Sequence, residues 1–322
     1  MRSIIVSGDR HPEDMKLHDG IDREPGAEEV RVKVRYAGVN FMDIGTRTNA
    51  YATESSSIAT PGVEGMGIVD SVGSEVQGFR PGDRVAWYFH WGSYADTVFI
   101  PACSLVPVPD DIEDDIAAGL LMQGLTAHHL ATRGFPVEVG QVCLVHAASG
   151  GVGALLTQII MMRGGTVIGR VSSDDKVSAA QEAGAGHVLI GRDGHFRNEV
   201  LTLTQGRGVN AVFDAIGKVT YEDSIASLAP HGTFVSFGTA SGAVAPIDLT
   251  QIPKSVFITY STVMDHTPDQ ASLLRHAQEL FDWVRTGALK IRIERIYPLE
   301  DAGRAHADLE SRCTTGKLLL QP

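Results

Sequence analysis

The sequence predicts an α/β protein in two parts, a β-rich domain and a doubly wound parallel sheet covered by helices. Three observations carry this. Apolar and basic residues alternate strictly through Val30-Arg31-Val32-Lys33-Val34-Arg35-Tyr36; short apolar runs alternate with helical stretches after Pro109-Asp110-Asp111; and an apolar strand runs straight into a glycine turn between Val142 and Gly153. Period-two alternation puts one face of a strand on a core, whereas strands that alternate with helices make parallel sheets buried on both faces. At 322 residues the chain is long enough for two cores of ordinary size.

The elements follow in order. Strands are expected at residues 30–36, 67–72, 84–89 and 93–100, separated by turns such as Arg80-Pro81-Gly82-Asp83, and together they read as a twisted antiparallel domain. The Ala/Leu/Met-rich segment 112–133 opens with acids, as a helix start favours. Beyond it, strands at 142–147, 166–171, 187–190, 209–214 and 233–237 alternate with helices at 151–163, 174–183, 197–204 and 221–228. A strand-like run at Val256–Tyr260 precedes an amphipathic helix at 270–285, a strand near 289–296, a helix at 299–311 and a last strand at 317–320.

Composition excludes several classes. Lys+Arg 27 against Asp+Glu 39 leaves a net charge of -12, the wrong sign for a nucleic-acid or anionic-membrane surface. No run of about 18 apolar residues suggests a membrane span, and the N-terminal apolar stretch is too short for a signal peptide; the expected compartment is the cytoplasm. Cys103, Cys143 and Cys313 are scattered and odd in number, so neither a disulfide framework nor a zinc cluster is expected. Cys103 and Cys143 read as buried small apolar groups.

The strongest chemical signal is Val142-Cys143-Leu144-Val145-His146-Ala147-Ala148-Ser149-Gly150-Gly151-Val152-Gly153, a strand–turn–helix that aligns with G-x-G-x-x-G and so with a dinucleotide pyrophosphate site. Ala148 takes the first glycine's place, Gly150 lets the backbone approach the phosphates, and Gly153 lets the helix pack on its strand. Ser149, Gly151 and Val152 complete the turn, whose amides and helix-dipole end would face the anion. The plainer alternative is a βα turn that uses glycine only for tightness.

The end of the second strand selects the dinucleotide. An NAD site would place a carboxylate about 20 residues past the glycines, where this chain has Val171. Arg170, Ser172, Ser173 and Lys176 stand around it and suit a 2′-phosphate. NADP(H) is therefore the expected cofactor. The alternative for this set is a serine helix cap and a solvated lysine.

At this point whole segments resemble a known family. Tyr36-Ala37-Gly38-Val39-Asn40-Phe41-Met42-Asp43, Pro61-Gly62-Val63-Glu64-Gly65-Met66-Gly67, Phe79 to Val85, Gly124-Leu125-Thr126-Ala127, Ala147 to Gly153, Ser236-Phe237-Gly238 with Ser241 to Val244, and Tyr297-Pro298-Leu299-Glu300-Asp301-Ala302 are similar, in order, to the zinc-independent quinone oxidoreductases (zeta-crystallin-like) of the medium-chain dehydrogenase/reductase superfamily. The resemblance implies a discontinuous GroES-like catalytic domain at 1–118 and 262–322, a Rossmann NADP-binding domain at 119–261, a cofactor cleft at their junction, and a homodimer. Its zinc-dependent members carry Cys, His and Cys ligands at the positions of Asn40, Val63 and Met122, none of them a good zinc ligand here. The neighbouring His128 and His129 diverge by about 100° on a helix and read as packed or surface residues.

The resemblance also implies site residues. Asn40 and Tyr51 border the nicotinamide and the acceptor oxygen, as donors to a developing oxyanion; the alternatives are a turn Asn and a packed loop Tyr. Gln123 and Thr126 lie beside the nicotinamide, or simply pack a helix. Phe237, Gly238 and Thr239 end the fifth Rossmann strand at its ligand-binding edge. Arg192, after Gly191, would contact a phosphate, and Lys317 resembles a C-terminal polar contact to the cofactor. The Tyr that many members carry at Gly45 is absent, which opens the pocket.

Taken together, these readings predict zinc-free hydride transfer from NADPH to a quinone or conjugated carbonyl. Two rivals remain, an enoyl or alkene reductase acting on an activated C=C bond, and an NADPH-binding sensor or structural protein. A homodimer is expected through Val256–Tyr260, which reads as an unprotected apolar edge strand.

Overall fold

The computed structural model describes residues 1–20, 22–48 and 60–322. It forms two compact units, one of Met1–Met122, Asp269–Gly287 and Ile291–Pro322, the other of Gln123–Pro268 and Ala288–Lys290.

The first unit opens with an antiparallel hairpin, β1 (Arg2–Val6) and β2 (Met15–Asp19). Then come β3 (Glu29–Val39), helix α1 (Phe41–Arg47), β4 (Glu64–Val72), β5 (Arg84–Tyr88), β6 (Thr97–Pro101) and β7 (Leu105–Pro107). Helix α2 (Asp114–His129) begins in this unit and ends in the other. The alternation read in the sequence is visible in β3, whose Val30, Val32 and Val34 are buried while Lys33 and Arg35 are exposed. Each such valine contributes about 1.5–3 kcal/mol by leaving water.

In the second unit β8 (Val142–His146), α3 (Gly151–Met162), β9 (Thr166–Val171), α4 (Val177–Glu182), β10 (His187–Ile190), α5 (Arg197–Leu203), β11 (Val209–Asp214), α6 (Tyr221–Ser227), β12 (Leu228–Ser236) and β13 (Phe257–Tyr260) succeed one another. Their sheet runs β10-β9-β8-β11-β12-β13, and every pairing is parallel. The order reverses beside β8, so a ligand crevice belongs at the carboxyl ends of β8 and β11. Leu144, Ile168, Val212 and Phe234 centre the core between sheet and helices. At the far edge β13 bonds to β12 along one side and leaves Phe257 and Tyr260 63% and 73% exposed.

The chain then returns to the first unit with α7 (Gln270–Arg285), β14 (Ile293–Pro298), α8 (Ala302–Glu310) and β15 (Lys317–Gln321). The large sheet there follows β14-β15-β3-β4-β5-β7, with β6 also on β3.

Two expectations are corrected, the start of β6 and the burial of Cys103. The strands read as antiparallel pair so, and the parallel pair in this sheet, β14 with β15, comes from the C-terminal part of the chain. The strand expected from residue 93 starts at Thr97; Ser93 and Tyr94 instead donate their amides to Gly62 and Pro61, outside the ladder. Cys103 is exposed, and only Cys143 behaves as a core group, its thiol pushed up to about 12 by burial. His128 and His129 are both buried, and His128 Nδ1 lies 2.6 Å from His266 Nε2. Among the described residues no helix is long and apolar enough to cross a membrane.

Candidate functional site

One set of candidate residues, for the nucleotide, lies in the second unit. At the end of β8 the backbone turns through Ala147 with φ +52, so Ala147, and not Ala148, carries the left-handed turn that a first glycine normally serves. Ala148 is fully buried, its Cβ against Gly169. A Cβ at Gly153 would collide with the Ala147 carbonyl and lie 3.0 Å from Ala148 Cα, so only glycine lets α3 sit this close to its strand. A Cβ at Gly151 would run into the amide of Gln123. Gly150 is different, since its Cβ would meet only the Ala147 oxygen, at 3.2 Å. That leaves one side of the turn open to a ligand, and no side chain caps the first-turn amides of the twelve-residue helix.

Next to this turn Gln123 is half-buried and its Oε1 has no hydrogen-bond partner. An orphaned buried acceptor beside an uncapped helix start fits a bound polar ligand. Thr126 is half-buried one turn further along α2. Ser149 is buried and Val152 half-buried at the start of α3.

Past β9, Val171 is buried where an NAD site would need a carboxylate. Ser172 and Ser173 are half-buried, and Ser173 makes no helix-capping bond. Its hydrogen bond goes to Asp175, which lowers that carboxyl, helped by the charges of Lys176 and Arg192. Lys176 is buried and Arg192 exposed. Arg170 departs from its expected role. Its guanidinium turns inward, stacks 4.6 Å over Phe196 and donates to the Asp193 carbonyl at 2.5 Å, so it braces the loop that carries Arg192. Phe237, Gly238 and Thr239 follow β12. The Phe237 amide donates to Asp214, and a Cβ at Gly238 would crowd the Ala215 backbone at 2.9 Å.

Asp214 and His146 are buried at the strand ends of this unit. Asp214 Oδ1 accepts from Ile216 and Gly217, and Oδ2 from Thr220 and Ser224. His146 bonds Ser224 at 2.9 Å, and burial pushes it down to about 4, so it stays neutral. Both hold the β11 turn.

A second set of candidate residues lies in the first unit and is set by strand register. Ala37 faces Gly65 across β3–β4, and Val39 faces Leu318 across β3–β15. One residue on in each ladder, Gly38 meets Glu64 and Asn40 meets Lys317. Asn40, 7% exposed, accepts from Lys317 Nζ at 2.8 Å through Oδ1 and donates to Glu64 Oε2 at 3.1 Å through Nδ2. Lys317 Nζ also donates to Glu64 Oε2, at 2.5 Å, and Glu64 Oε1 accepts from the Met122 amide. Lys317 and Glu64 are fully buried, so the expected polar contact of Lys317 goes to Asn40 and Glu64. Neither Glu64 nor this triad was singled out in the sequence; the signal was Glu64 inside Gly-Val-Glu-Gly, an acid flanked by core residues. Tyr51 lies outside the described residues.

Behind Asn40 sits Asp43, whose Oδ2 accepts from the Asn40 amide at 2.8 Å and from the Tyr94 hydroxyl at 3.1 Å. Burial pushes its carboxyl up to about 7. Tyr94 also bonds His306 at 3.0 Å, and burial holds His306 down to about 3.

A Rossmann unit in one chain with a GroES-like unit is the architecture of the medium-chain dehydrogenases/reductases. Comparison with known proteins agrees and narrows it. Residues 26–110 match the alcohol dehydrogenase GroES-like domain and residues 183–320 the zinc-binding dehydrogenase family. The chain is 36% identical to a quinone oxidoreductase of Pseudomonas aeruginosa over 97% of its length and 96% of the relative's, and 33% identical to a 2-haloacrylate reductase of a Burkholderia species over 92% of both. The structure of Escherichia coli quinone oxidoreductase complexed with NADPH superposes with TM-score 0.95 at 31% identity, covering all of both chains. The chain belongs to the quinone oxidoreductase family of this superfamily.

The matched family's name raises zinc, and the residues at the three positions of the family's ligands do not fit it. Val63 has no donor atom, Met122 offers only a thioether, and the one hard oxygen, Asn40 Oδ1, already accepts from an ammonium that would repel a divalent cation.

Proposed function

We propose that the protein is an NADPH-dependent quinone oxidoreductase that works without zinc. The observation that carries this is the turn from Ala147 to Gly153, with uncapped helix amides and an open glycine at 150, followed at the next strand end by Val171 in place of a carboxylate. The relatives' names, and the NADPH bound by the Escherichia coli structure, support the reading.

When bound, NADPH supplies a hydride, and with one proton from solvent a quinone becomes a hydroquinone. The chain's part is to bind and orient. Gly151, Val152 and Gly153 receive the pyrophosphate on their amides, beside the open backbone of Gly150, whose own amide donates to Ala147; Ser172, Ser173, Lys176 and Arg192 hold the 2′-phosphate; Gln123, Thr126 and residues 237–239 border the nucleotide; Arg170 supports the phosphate loop. Asn40 and Tyr51 polarise the acceptor carbonyl. On this reading the compartment is the cytoplasm, where the exposed Cys103 and Cys313 stay reduced, and a homodimer forms through the exposed edge β13.

The kinship to a 2-haloacrylate reductase favours one second reading, reduction of an activated C=C bond. One experiment tests both. Purified protein is mixed with NADPH or NADH and a panel of quinones, enones and haloacrylates, with and without a zinc chelator. Chelator-insensitive oxidation of NADPH by quinones is expected. Turnover restricted to enones or haloacrylates transfers the assignment to the second reading, and tight NADPH binding without any turnover refutes both.

A further inference from the structure

We propose that Lys317 and Glu64 form a positioning pair that locks the carboxamide of Asn40 in one orientation, and that Lys317 serves the reaction through Asn40 without touching the cofactor. The proposal deepens the reading given above and rests on it for the role of Asn40.

The geometry leaves Asn40 no freedom. Lys317 is donor-only and lies on Oδ1 at 2.8 Å; Glu64 Oε2 lies on Nδ2 at 3.1 Å. A flipped amide would put NH₂ against an ammonium and a carbonyl against a carboxylate, so the pair fixes which end faces which way. Backbone contacts hold the pair in turn. Glu64 Oε1 accepts from the Met122 amide at 2.7 Å, and the Lys317 amide is anchored on Arg292.

Two glycines make the cavity. A Cβ at Gly38 would lie 2.9 Å from both Glu64 Cδ and Lys317 Cε, and one at Gly119 would lie 2.9 Å from Lys317 Cγ. Neither glycine has a positive φ, so space for this pair is the reason each is glycine. A fully buried ion pair is a poor source of stability, since desolvation offsets most of its attraction and apolar replacements are often as stable. Orientation of a third group is the use that such a pair serves well. Lys317 is also 0% exposed, which denies it the solvent face that a nucleotide contact would use.

The test compares wild type, Lys317→Met and the double variant Lys317→Met/Glu64→Gln, which strands no charge. Four quantities are read: thermal midpoint, NADPH dissociation constant by nicotinamide fluorescence, kcat with KM for a quinone, and hydrogen exchange of the Asn40 side-chain amide by NMR, assigned by its loss in Asn40→Ala. Lys317→Met is expected to exchange the Asn40 amide at least tenfold faster and to lose at least tenfold in kcat, with NADPH affinity within twofold of wild type. The double variant should regain the thermal midpoint without regaining kcat or slow exchange. Recovery of kcat together with stability would reduce the pair to a structural role and overturn the proposal. So would a tenfold loss of NADPH affinity with Asn40 exchange unchanged, which makes Lys317 a cofactor contact. A wild type that never oxidises NADPH defeats the proposed function, while the exchange and affinity readouts still decide the positioning role.

Discussion

The Tyr94 hydroxyl donates to Asp43 Oδ2 at 3.1 Å with both side chains fully buried. Around them stand His306, Arg47, Glu64 and Lys317, and burial dominates the balance, raising Asp43 from its ordinary 3.8 to about 7. That rise corresponds to roughly 4 kcal/mol at ~1.4 kcal/mol per pH unit. A carboxyl with a raised folded-state pKa stabilises most below its unfolded pKa, and that contribution is lost as pH climbs through the folded one.

The pH dependence of stability should therefore differ between wild type and Asp43→Asn. His306 and His146, held down to about 3 and 4, act in the opposite sense and destabilise the fold as pH falls below 6.5, but they act equally in both proteins. Urea midpoints measured from pH 4 to 8 should show wild type losing ground against Asp43→Asn as pH rises from 4 to 7. A constant gap across that window would remove Asp43 as the titrating group.

Glycines 150 and 153 should fail in different ways. Gly153→Ala forces a methyl into the Ala147 carbonyl and should destabilise by about 2 kcal/mol or more, as overpacking does. Gly150→Ala meets only one oxygen, at 3.2 Å. It should keep its thermal midpoint within a few degrees while NADPH binding weakens tenfold or more, as fluorescence titration would reveal.

Cofactor discrimination should map to Arg192 directly and to Arg170 only through the loop it braces. Arg192→Glu is expected to raise KM for NADPH at least tenfold and to leave NADH unchanged, in line with ~1.5–3 kcal/mol for a charge-assisted bond. Arg170→Met removes the brace on Phe196 and Asp193 and should lower the thermal midpoint and, by loosening the loop that carries Arg192, cost less NADPH affinity than Arg192→Glu while leaving NADH unchanged. Steady-state kinetics with the two cofactors separates the cases.

The edge strand β13 gives a prediction about assembly. Wild type should run as a dimer in sizing with light scattering, and Phe257→Lys/Ile258→Lys should run as a monomer, because two charges on an unpaired edge oppose strand addition. A monomeric wild type contradicts the homodimer outright.

Local chemistry makes much of this protein legible in its sequence. The alternation in β3, the strand–glycine–helix passage at Val142 to Gly153 and the βα rhythm of the second unit are each written within a dozen residues, because period, turn geometry and helix packing are local constraints. What escaped was set by partners distant in sequence. Nothing near Arg170 signals that its guanidinium will stack on Phe196, and nothing near Ala147 shows that it, and not Ala148, takes the left-handed turn. Glu64 and Lys317 are 253 residues apart. They meet only because β4 and β15 flank the two edges of β3, in a register that brings one to Gly38 and the other to Asn40. The sequence by itself determined the two sheets and the glycine turn, through periodicity and backbone sterics. Only the tertiary structure decided which buried charges face one another, because a charge can leave water only where a partner has been brought to meet it.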